Sequence, residues 1–457
     1  MKKLDKIFIF IFAGCISLAV FSPLIVALTK TSASKIVYSS GSSGVDIKGE
    51  TKQYGKEGHY SSEVTAVPSD GFIFLKWSDG VITPNRSDVF IKKDQSFAAY
   101  ARYSMYDAPL LQVGLKRDNL SFAQDLNTTV DYFSTDGVDC LGSEMTITKI
   151  ANYENLKSQY KFDLFVTFPD SFPFISNSYL LLSMFNDRSF LHNFFAYSLL
   201  REQFADANYR DLHFLNLTLD SDYVGFYMAF ESMSDFSKRT SDTKIDWEIT
   251  ISKSIQGNYV DYFSNSMGFC VLTNNTKYNN KQICESACKD LVNLDQGIID
   301  GFDLESITSY LAINEFMKNN ACLENDIRIY KKDGIIYFDP FISYSLSSPM
   351  FRWFDYGPTG RVDNPTLLKT LLNKDEIKRS KKEKLDAIIK IAEECFINTY
   401  EELSHYKESI NADFDLWISK PPFGSPNEYM NMSSWNEYCQ MYKEWVHARI
   451  AWLTNNN

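Results

Sequence analysis

The sequence predicts an α+β protein in three consecutive parts: an N-terminal apolar helix, a small β-rich domain and a larger two-lobed domain of mixed helix and strand. Three observations predict this organisation. Residues 1–35 contain a long uncharged run, residues 36–104 contain short apolar runs divided by turn residues, and residues 107–457 contain longer runs with helical spacing. With 457 residues and 44% apolar content, the chain can bury more than one core.

Residues 1–35 are predicted to be a membrane anchor or a signal peptide. Three lysines precede residues 7–28, which carry no charge and as a helix would span roughly 33 Å. The basic start predicts a single-pass cell-membrane protein with an extracellular C-terminal region. Two alternatives are a signal cleaved near the small residues Thr31, Ser32 and Ala33, which gives a secreted protein, and a lipoprotein at Cys15.

The charge and the cysteines limit the classes of partner and cofactor. A net charge of -12 argues against a nucleic-acid partner, because proteins that neutralise phosphates normally carry an excess of Lys and Arg. The eight cysteines indicate no disulfide framework, and only Cys284 and Cys288 are close together. A disulfide, two free thiols and a zinc site are the alternatives for this pair. No second Cys or His pair lies near it, so no metal site is predicted.

Residues 36–104 are predicted to be a small β domain. Apolar runs at residues 64–68, 72–75 and 96–101 are separated by Pro, Gly, Asn and Asp, and Asp79-Gly80 has the chemistry of a hairpin turn beside a core Trp77. Together with Arg86, these features resemble the internalin B-type bacterial repeat. The resemblance implies either a spacer or a ligand-binding module.

The larger domain, residues 107–457, is predicted from helix and strand patterns that alternate along the chain. A helix is expected to begin near Ser189, and two strands are expected in residues 212–231 around a turn at residues 220–222. The other expected elements are a buried helix over residues 304–318, a hairpin over residues 326–341 turned at Asp333-Gly334, and helices over residues 367–406 and 433–454. This order fits a two-lobed α+β domain.

Several segments of this domain match, in order, the motifs of one known protein family. In residues 179–199 an Asp and an Arg open a helix, with His192 where the family usually has Arg. Gly225, Tyr227 and Glu231 keep the spacing of a later strand, and residues 303–319 and 435–452 resemble two further helices. In these segments the chain resembles the CotH family of kinase-like spore-coat and surface proteins, and the resemblance implies a two-lobed fold like that of atypical protein kinases.

The resemblance also implies roles for individual residues. Phosphoryl transfer needs a lysine on the phosphates, a glutamate that orients it, and carboxylate or amide groups for Mg²⁺ and the nucleophile. Lys157 and Glu231 are the implied nucleotide-binding pair, and Asn325 and Asp326 are the remaining catalytic candidates. The alternative for the first pair is an exposed strand lysine and a solvated glutamate.

The carboxylates that the family uses at this centre are absent from the expected positions. Ala321 stands at the catalytic aspartate position, and Ser343 and Ser345 stand at the metal-binding positions. Serine replaces a carboxylate poorly on Mg²⁺, and alanine can accept no proton. Rescue from a shifted position by Asp326, Asp339 or Asp355 is the alternative.

The sequence therefore favours an extracytoplasmic CotH-like pseudokinase that acts as a binding or scaffold module in a surface or envelope assembly. Its expected partners are a surface or envelope protein and, through the N-terminal helix, the membrane; no cofactor is expected. One alternative is an active atypical protein kinase that uses Mg²⁺ and ATP to modify Ser of surface or coat proteins. Another is an adhesin.

Overall fold

The computed structural model describes most of the chain after residue 32. The described residues are 33–104, 107–116, 119–120, 125–135, 140–148, 161–185, 187, 189–203, 209–220, 222–241, 245–252, 270–272, 289–290, 293–294, 296–319, 327–339, 357–362, 369–417 and 434–456. The chain divides into two compact units, Met1–Ser104 and Met105–Asn457.

The first unit consists of two small sheets. Their strands are β1 (Ser34–Ser40), β2 (Val45–Lys48), β3 (Lys52–Gly55), β4 (Val64–Pro68), β5 (Phe72–Trp77), β6 (Asn85–Arg86) and β7 (Gln95–Tyr103). One sheet has the order β3-β1-β7-β5 and the other β2-β4-β6. The predicted strands β4, β5 and β7 are confirmed. The expected turn at Asp79-Gly80 forms, because the Gly80 N–H donates to Trp77 O and the Trp77 N–H donates to Val81 O. The strands on its two sides do not pair as a hairpin, since β5 pairs with β7 and β6 pairs with β4.

A buried arginine organises the core of the first unit. Trp77 is fully buried, as its sequence context predicts, and its Nε1 donates a hydrogen bond to Thr83 O over 3.0 Å. The Arg86 guanidinium carbon lies 3.8 Å from the ring centroid of Phe97, and the same group forms ion pairs with Asp79 and Asp88. The cation is thus both neutralised and stacked on an aromatic face, the two conditions under which a buried charge is stable.

The second unit begins with seven strands that close into a ring. They are β8 (Leu110–Val113), β9 (Leu126–Phe133), β10 (Cys140–Thr148), β11 (Leu164–Thr167), β12 (Ser178–Leu182), β13 (Leu212–Leu219) and β14 (Asp222–Glu231). The order is β10-β11-β12-β14-β13-β8-β9, and β9 returns to β10. All pairs are antiparallel except β8 with β13. Apolar side chains from every strand fill the interior of this closed sheet.

A second, open sheet contains the hairpin that precedes the expected metal-binding positions. Its strands are β15 (Trp247–Ser252), β16 (Cys270–Leu272), β17 (Ile327–Lys332) and β18 (Ile335–Phe338), in the order β16-β15-β17-β18. Asp333 and Gly334 have φ angles of 52° and 79°, as a two-residue hairpin turn with both central residues left-handed requires. The predicted hairpin is confirmed.

Seven described helices complete the second unit. They are α1 (Leu191–Gln203), α2 (Met233–Ser241), α3 (Leu304–Phe316), α4 (Lys369–Leu372), α5 (Asp375–Ser404), α6 (Lys407–Trp417) and α7 (Trp435–Asn456). Helices α1, α3, α5 and α7 share one large apolar core with the closed sheet and the hairpin. The expected mixture of helix and strand is confirmed, whereas the two-lobed kinase-like arrangement stays a prediction.

Local hydrogen bonds explain where the predicted helices begin. Helix α1 begins two residues after the expected Ser189, because the Asp187 carboxylate accepts the backbone N–H groups of His192 and Asn193. Helix α3 begins after Asp303, whose side chain accepts the N–H of Ser306 over 2.6 Å. The single helix expected over residues 367–406 is instead two described helices, α4 and α5, which a turn at Asn373 separates.

The expected N-terminal anchor lies outside the described residues. Within the part of the chain that is described, every helix is too short or too polar to cross a bilayer.

One buried carboxylate makes the closed sheet sensitive to pH. Asp131 on β9 is 5% exposed, and its Oδ1 accepts the N–H of Gly142 over 2.6 Å. Burial raises the pKa of Asp131 from 3.8 to about 6, although the hydrogen bond from Gly142 opposes this effect. Because the folded pKa exceeds the unfolded one, this group stabilises the fold most below pH 4. Its contribution falls as the pH rises through about 6.

We predict that Asp131→Asn increases the free energy of unfolding by about 1 to 3 kcal/mol at pH 8 and changes it little at pH 4.5, since one pKa unit corresponds to about 1.4 kcal/mol. Urea unfolding of the full-length chain in detergent at both pH values measures the difference. Asp222→Asn, an exposed position on β14, is the matched control and should change stability little at either pH. A loss of stability at pH 8 in Asp131→Asn would contradict the prediction.

Candidate functional site

The structure describes only some of the residues that the CotH resemblance singles out. Glu231 and the stand-in candidate Asp339 are described. The others lie outside the described residues: Lys157, Ala321, Asn325, Asp326, Ser343, Ser345 and Asp355.

Glu231 is the last residue of β14, and its carboxylate is fully buried. Its Oε1 accepts hydrogen bonds from the Ser176 hydroxyl and from Arg239 Nε, the latter over 3.0 Å. Its Oε2 accepts from the Asp211 N–H over 2.8 Å and from Arg239 Nη2 over 2.7 Å. A carboxylate offers about four acceptor positions, so these four donors saturate Glu231. The alternative of a solvated glutamate is wrong.

Arg239 reaches Glu231 because a short helix follows the strand directly. Helix α2 begins at Met233, two residues after β14 ends, and Arg239 lies in its last turn. The Ser232 hydroxyl accepts the N–H of Asp235, and the Asp235 carboxylate accepts the N–H of Ser178 over 2.7 Å. These bonds fix the start of the helix against β12. The Glu231 pair raises the pKa of Arg239, despite the opposing effect of burial.

A second buried ion pair connects the closed sheet to the hairpin. Arg210 Nη1 donates to Asp339 Oδ2 over 2.9 Å, and these side chains are 2% and 1% exposed. Arg210 Nε also donates to the backbone oxygen of Glu231 over 2.8 Å, and its guanidinium carbon lies 4.4 Å from the Phe230 ring centroid. Asp339 directly follows β18, so the expected stand-in ligand is already the partner of an arginine.

Asp211 lies between the two pairs and accepts further hydrogen bonds. Its Oδ2 lies 2.6 Å from the Tyr179 hydroxyl and 2.6 Å from His213 Nε2. Burial acts to raise the pKa of Asp211, but the hydrogen bond and charge of His213 outweigh it and hold the pKa below its usual value. Burial also raises the pKa of Tyr179. Asp211 is therefore an ionised acceptor.

A cleft of about 370 Å³ lies beside this network. We call it the arginine cleft. Its lining residues come from α1, α2, α5, the start of β13 and the segments before β12 and β13: Ile175, Phe194, Tyr197, Arg201, Tyr209, Arg210, Asp211, Leu212, Arg239 and Glu402. Its volume lies within the range of small-molecule sites.

The comparison with protein families decides the family. A family model described as CotH kinase protein matches residues 150–453. The chain belongs to the CotH kinase family. No curated protein matches the chain. The CotH match begins after residues 36–104, so the internalin B-type resemblance stays a prediction.

Gly225 is one of the CotH-like positions, and the structure explains why it is glycine. Its φ is 135°, and a Cβ added there would lie 2.1 Å from Asp413 Oδ1 and 2.9 Å from Lys161 Cε. Lys161 Nζ donates to Asp413 Oδ1 and to Phe226 O, each over 2.6 Å, and this side chain is fully buried. The missing side chain at residue 225 therefore leaves room for a buried ion pair between the closed sheet and α6.

The end of α3 leads into the CotH-like catalytic segment and is held by a buried arginine of α7. Arg449 is fully buried and donates to the backbone oxygens of Glu315, Phe316, Pro358 and Gly360. Burial lowers the pKa of Arg449 to about 10, although the nearby Glu315 carboxylate opposes this shift. Asn319 Nδ2 then donates to Asn314 Oδ1 over 2.7 Å. The last described residue before the segment is thus fixed to the helix.

The arginines near Glu231 could not be predicted from the sequence. Arg239 carries a weak signal, because it follows Glu231 on a short helix with a polar face. Arg210 and Arg201 carry none, since a single arginine beside a strand or at a helix end is usually a surface residue. Lys161, whose side chain is fully buried, lies four residues after Lys157, the lysine that the resemblance implies for nucleotide binding.

We predict that Gly225→Ala lowers the free energy of unfolding by roughly 3 kcal/mol or more, because the new methyl group must separate a buried ion pair. Urea unfolding of the full-length chain measures the loss. Gly142→Ala is the matched control, since Gly142 has a φ of 63° and open space around it. That variant should lose only about 1 kcal/mol, from backbone conformation alone. Equal losses in the two variants would contradict a steric role for Gly225.

Proposed function

We propose that this CotH-family protein is a pseudokinase that binds a partner without transferring phosphate. The observation that carries the proposal is the saturation of Glu231. The glutamate that would orient a phosphate-binding lysine already accepts four hydrogen bonds, three of them from Arg239 and the Asp211 backbone. A lysine at residue 157 could bind it only by displacing one of these donors.

The sequence at the expected metal positions supports the same proposal. Ala321, Ser343 and Ser345 provide no carboxylate, and Mg²⁺ is normally held through one or two carboxylates together with the phosphates. Rescue by Asp339 is disfavoured by its buried pair with Arg210, because freeing Asp339 would leave an unpaired cation in the interior. Binding of Mg-ATP needs both an oriented lysine and metal ligands, and in this proposal the chain provides neither in full.

In this proposal the domain is an extracytoplasmic scaffold. The uncharged run at residues 7–28 would anchor it to the cell membrane, or would direct its secretion if it is cleaved. Its partner would be a protein of the surface or envelope, as the resemblance to spore-coat and surface proteins implies. The net charge of -12 favours a partner other than nucleic acid.

We predict that Mg-ATP leaves the melting temperature of the full-length chain in detergent unchanged, and that no label passes from γ-labelled ATP to casein or to the chain itself. A ligand that binds only the native state would raise the melting temperature with its saturation. The gain-of-function control is the triple variant Ala321→Asp, Ser343→Asp and Ser345→Asp, which should gain metal-dependent nucleotide binding. Adding Arg239→Gln to it should tighten binding further, because Glu231 is then free to bind Lys157.

The opposite result would support an active kinase. Label transfer by the unaltered chain, lost in Lys157→Ala and in Asp326→Asn but kept in the exposed-surface variant Lys92→Ala, would overturn the pseudokinase proposal. Lys92 is a suitable control because its side chain is 87% exposed.

A further inference from the structure

The arginine cleft has the features of a binding site that the kinase resemblance does not assign. Of the residues that the resemblance singles out, the two that the structure describes, Glu231 and Asp339, do not line it. It contains three arginines from three separate parts of the fold: Arg201 at the end of α1, Arg210 before β13 and Arg239 on α2. Two of the three already have an anionic partner, because Arg210 is paired with Asp339 and Arg239 with Glu231.

Two tyrosines bring these arginines together. The Tyr197 hydroxyl donates to Arg210 O over 2.8 Å, and the Arg201 guanidinium carbon lies 5.9 Å from the Tyr197 ring centroid. The Tyr209 hydroxyl donates to Arg201 O, and Tyr209 O accepts from Arg239 Nη2 over 2.8 Å. The arginines are thus positioned by the backbone and rings around the cleft.

Each arginine retains N–H donors that no described residue accepts. Arg239 uses Nε and Nη2 on Glu231 and Tyr209, which leaves Nη1. Arg210 uses Nε and Nη1, which leaves Nη2. The exposed Arg201 forms no ion pair with a described carboxylate. A guanidinium has five N–H donors, so the cleft offers several charge-assisted donors to a ligand.

The two carboxylates of the cleft differ in what they can still accept. The Asp211 carboxylate already accepts hydrogen bonds from Tyr179 and His213. Its backbone N–H donates to Glu231, so Asp211 belongs to the same saturated network. Glu402 forms no ion pair with a described residue, so it opposes a bound anion and is available to accept a ligand hydroxyl or N–H. Phe194 and Leu212 supply an apolar wall.

We propose that the arginine cleft binds a tetrahedral oxyanion, carried as the phosphate or sulfate group of a monoester. A terminal phosphate or sulfate presents three acceptor oxygens, which matches three separate guanidinium groups better than the two oxygens of a carboxylate. The remaining volume, beside Phe194 and Tyr197, accommodates the alcohol part of the ester. This inference is independent of whether the CotH-like centre transfers phosphate.

The test is thermal unfolding of the full-length chain in detergent with EDTA present, so that no metal-nucleotide complex can form. The probes are inorganic phosphate, inorganic sulfate and phenyl phosphate, each compared with sodium chloride at equal ionic strength. We expect saturable stabilisation by the oxyanions beyond that of chloride. Tighter binding of phenyl phosphate than of inorganic phosphate supports an ester as the ligand, whereas equal binding would overturn the ester assignment.

Matched variants separate the cleft from general surface charge. Arg201→Gln should weaken binding roughly tenfold or more, because it removes a charged donor without breaking an ion pair. Arg379→Gln removes the same charge from an exposed position on α5 and should leave the dissociation constant unchanged. Glu402→Gln should tighten binding several-fold by removing the opposing carboxylate. Equal effects of Arg201→Gln and Arg379→Gln, or no stabilisation beyond chloride by any probe, would overturn the proposal.

Discussion

The second unit depends on the pairing of charges that its fold takes out of water. Glu231, Arg239, Arg210 and Asp339 lie at the meeting point of β14, α2, the segment before β13 and the hairpin β17–β18. A single buried charge in such a place would cost several kcal/mol, so the buried Glu231, Arg210 and Asp339 each require a partner, and the partly exposed Arg239 is the partner of Glu231. The relative positions of the closed sheet and the hairpin are therefore specified by charge as well as by apolar packing.

The same principle recurs at two other junctions of the unit. Lys161 and Asp413 connect the closed sheet to α6, and Arg449 connects α7 to the carbonyl groups at the end of α3. In each case a long basic side chain on one element donates hydrogen bonds to the backbone or carboxylate of another. The groups that accept these bonds would otherwise be buried without partners. The apolar core brings these helices together, and the cations determine their alignment.

The elements with strong local patterns could be predicted, whereas the contacts between them could not. The strands β13 and β14, the hairpin at Asp333-Gly334 and the helices α3 and α7 follow from periodicity and turn residues. The strands β8 and β11 have only four residues each, too few for a period to be recognised. The importance of Glu231 was implied by the resemblance to the CotH family. Its partner Arg239 could not be predicted, because that side chain could equally have faced solvent, and only its two hydrogen bonds to the buried Glu231 distinguish the two cases.

The parallel pair of β8 and β13 completes the ring and has a consequence for how the chain assembles. β8 is the first of the seven strands in the sequence and β13 is the sixth, with Leu110 opposite Asn216. Such a distant pairing must close a long loop, whereas the neighbouring antiparallel pairs close short ones. We therefore expect β9 and β10 to associate early and the seam at β8 to form late. Until that seam forms, the edges of β8 and β13 remain open to strands of other molecules.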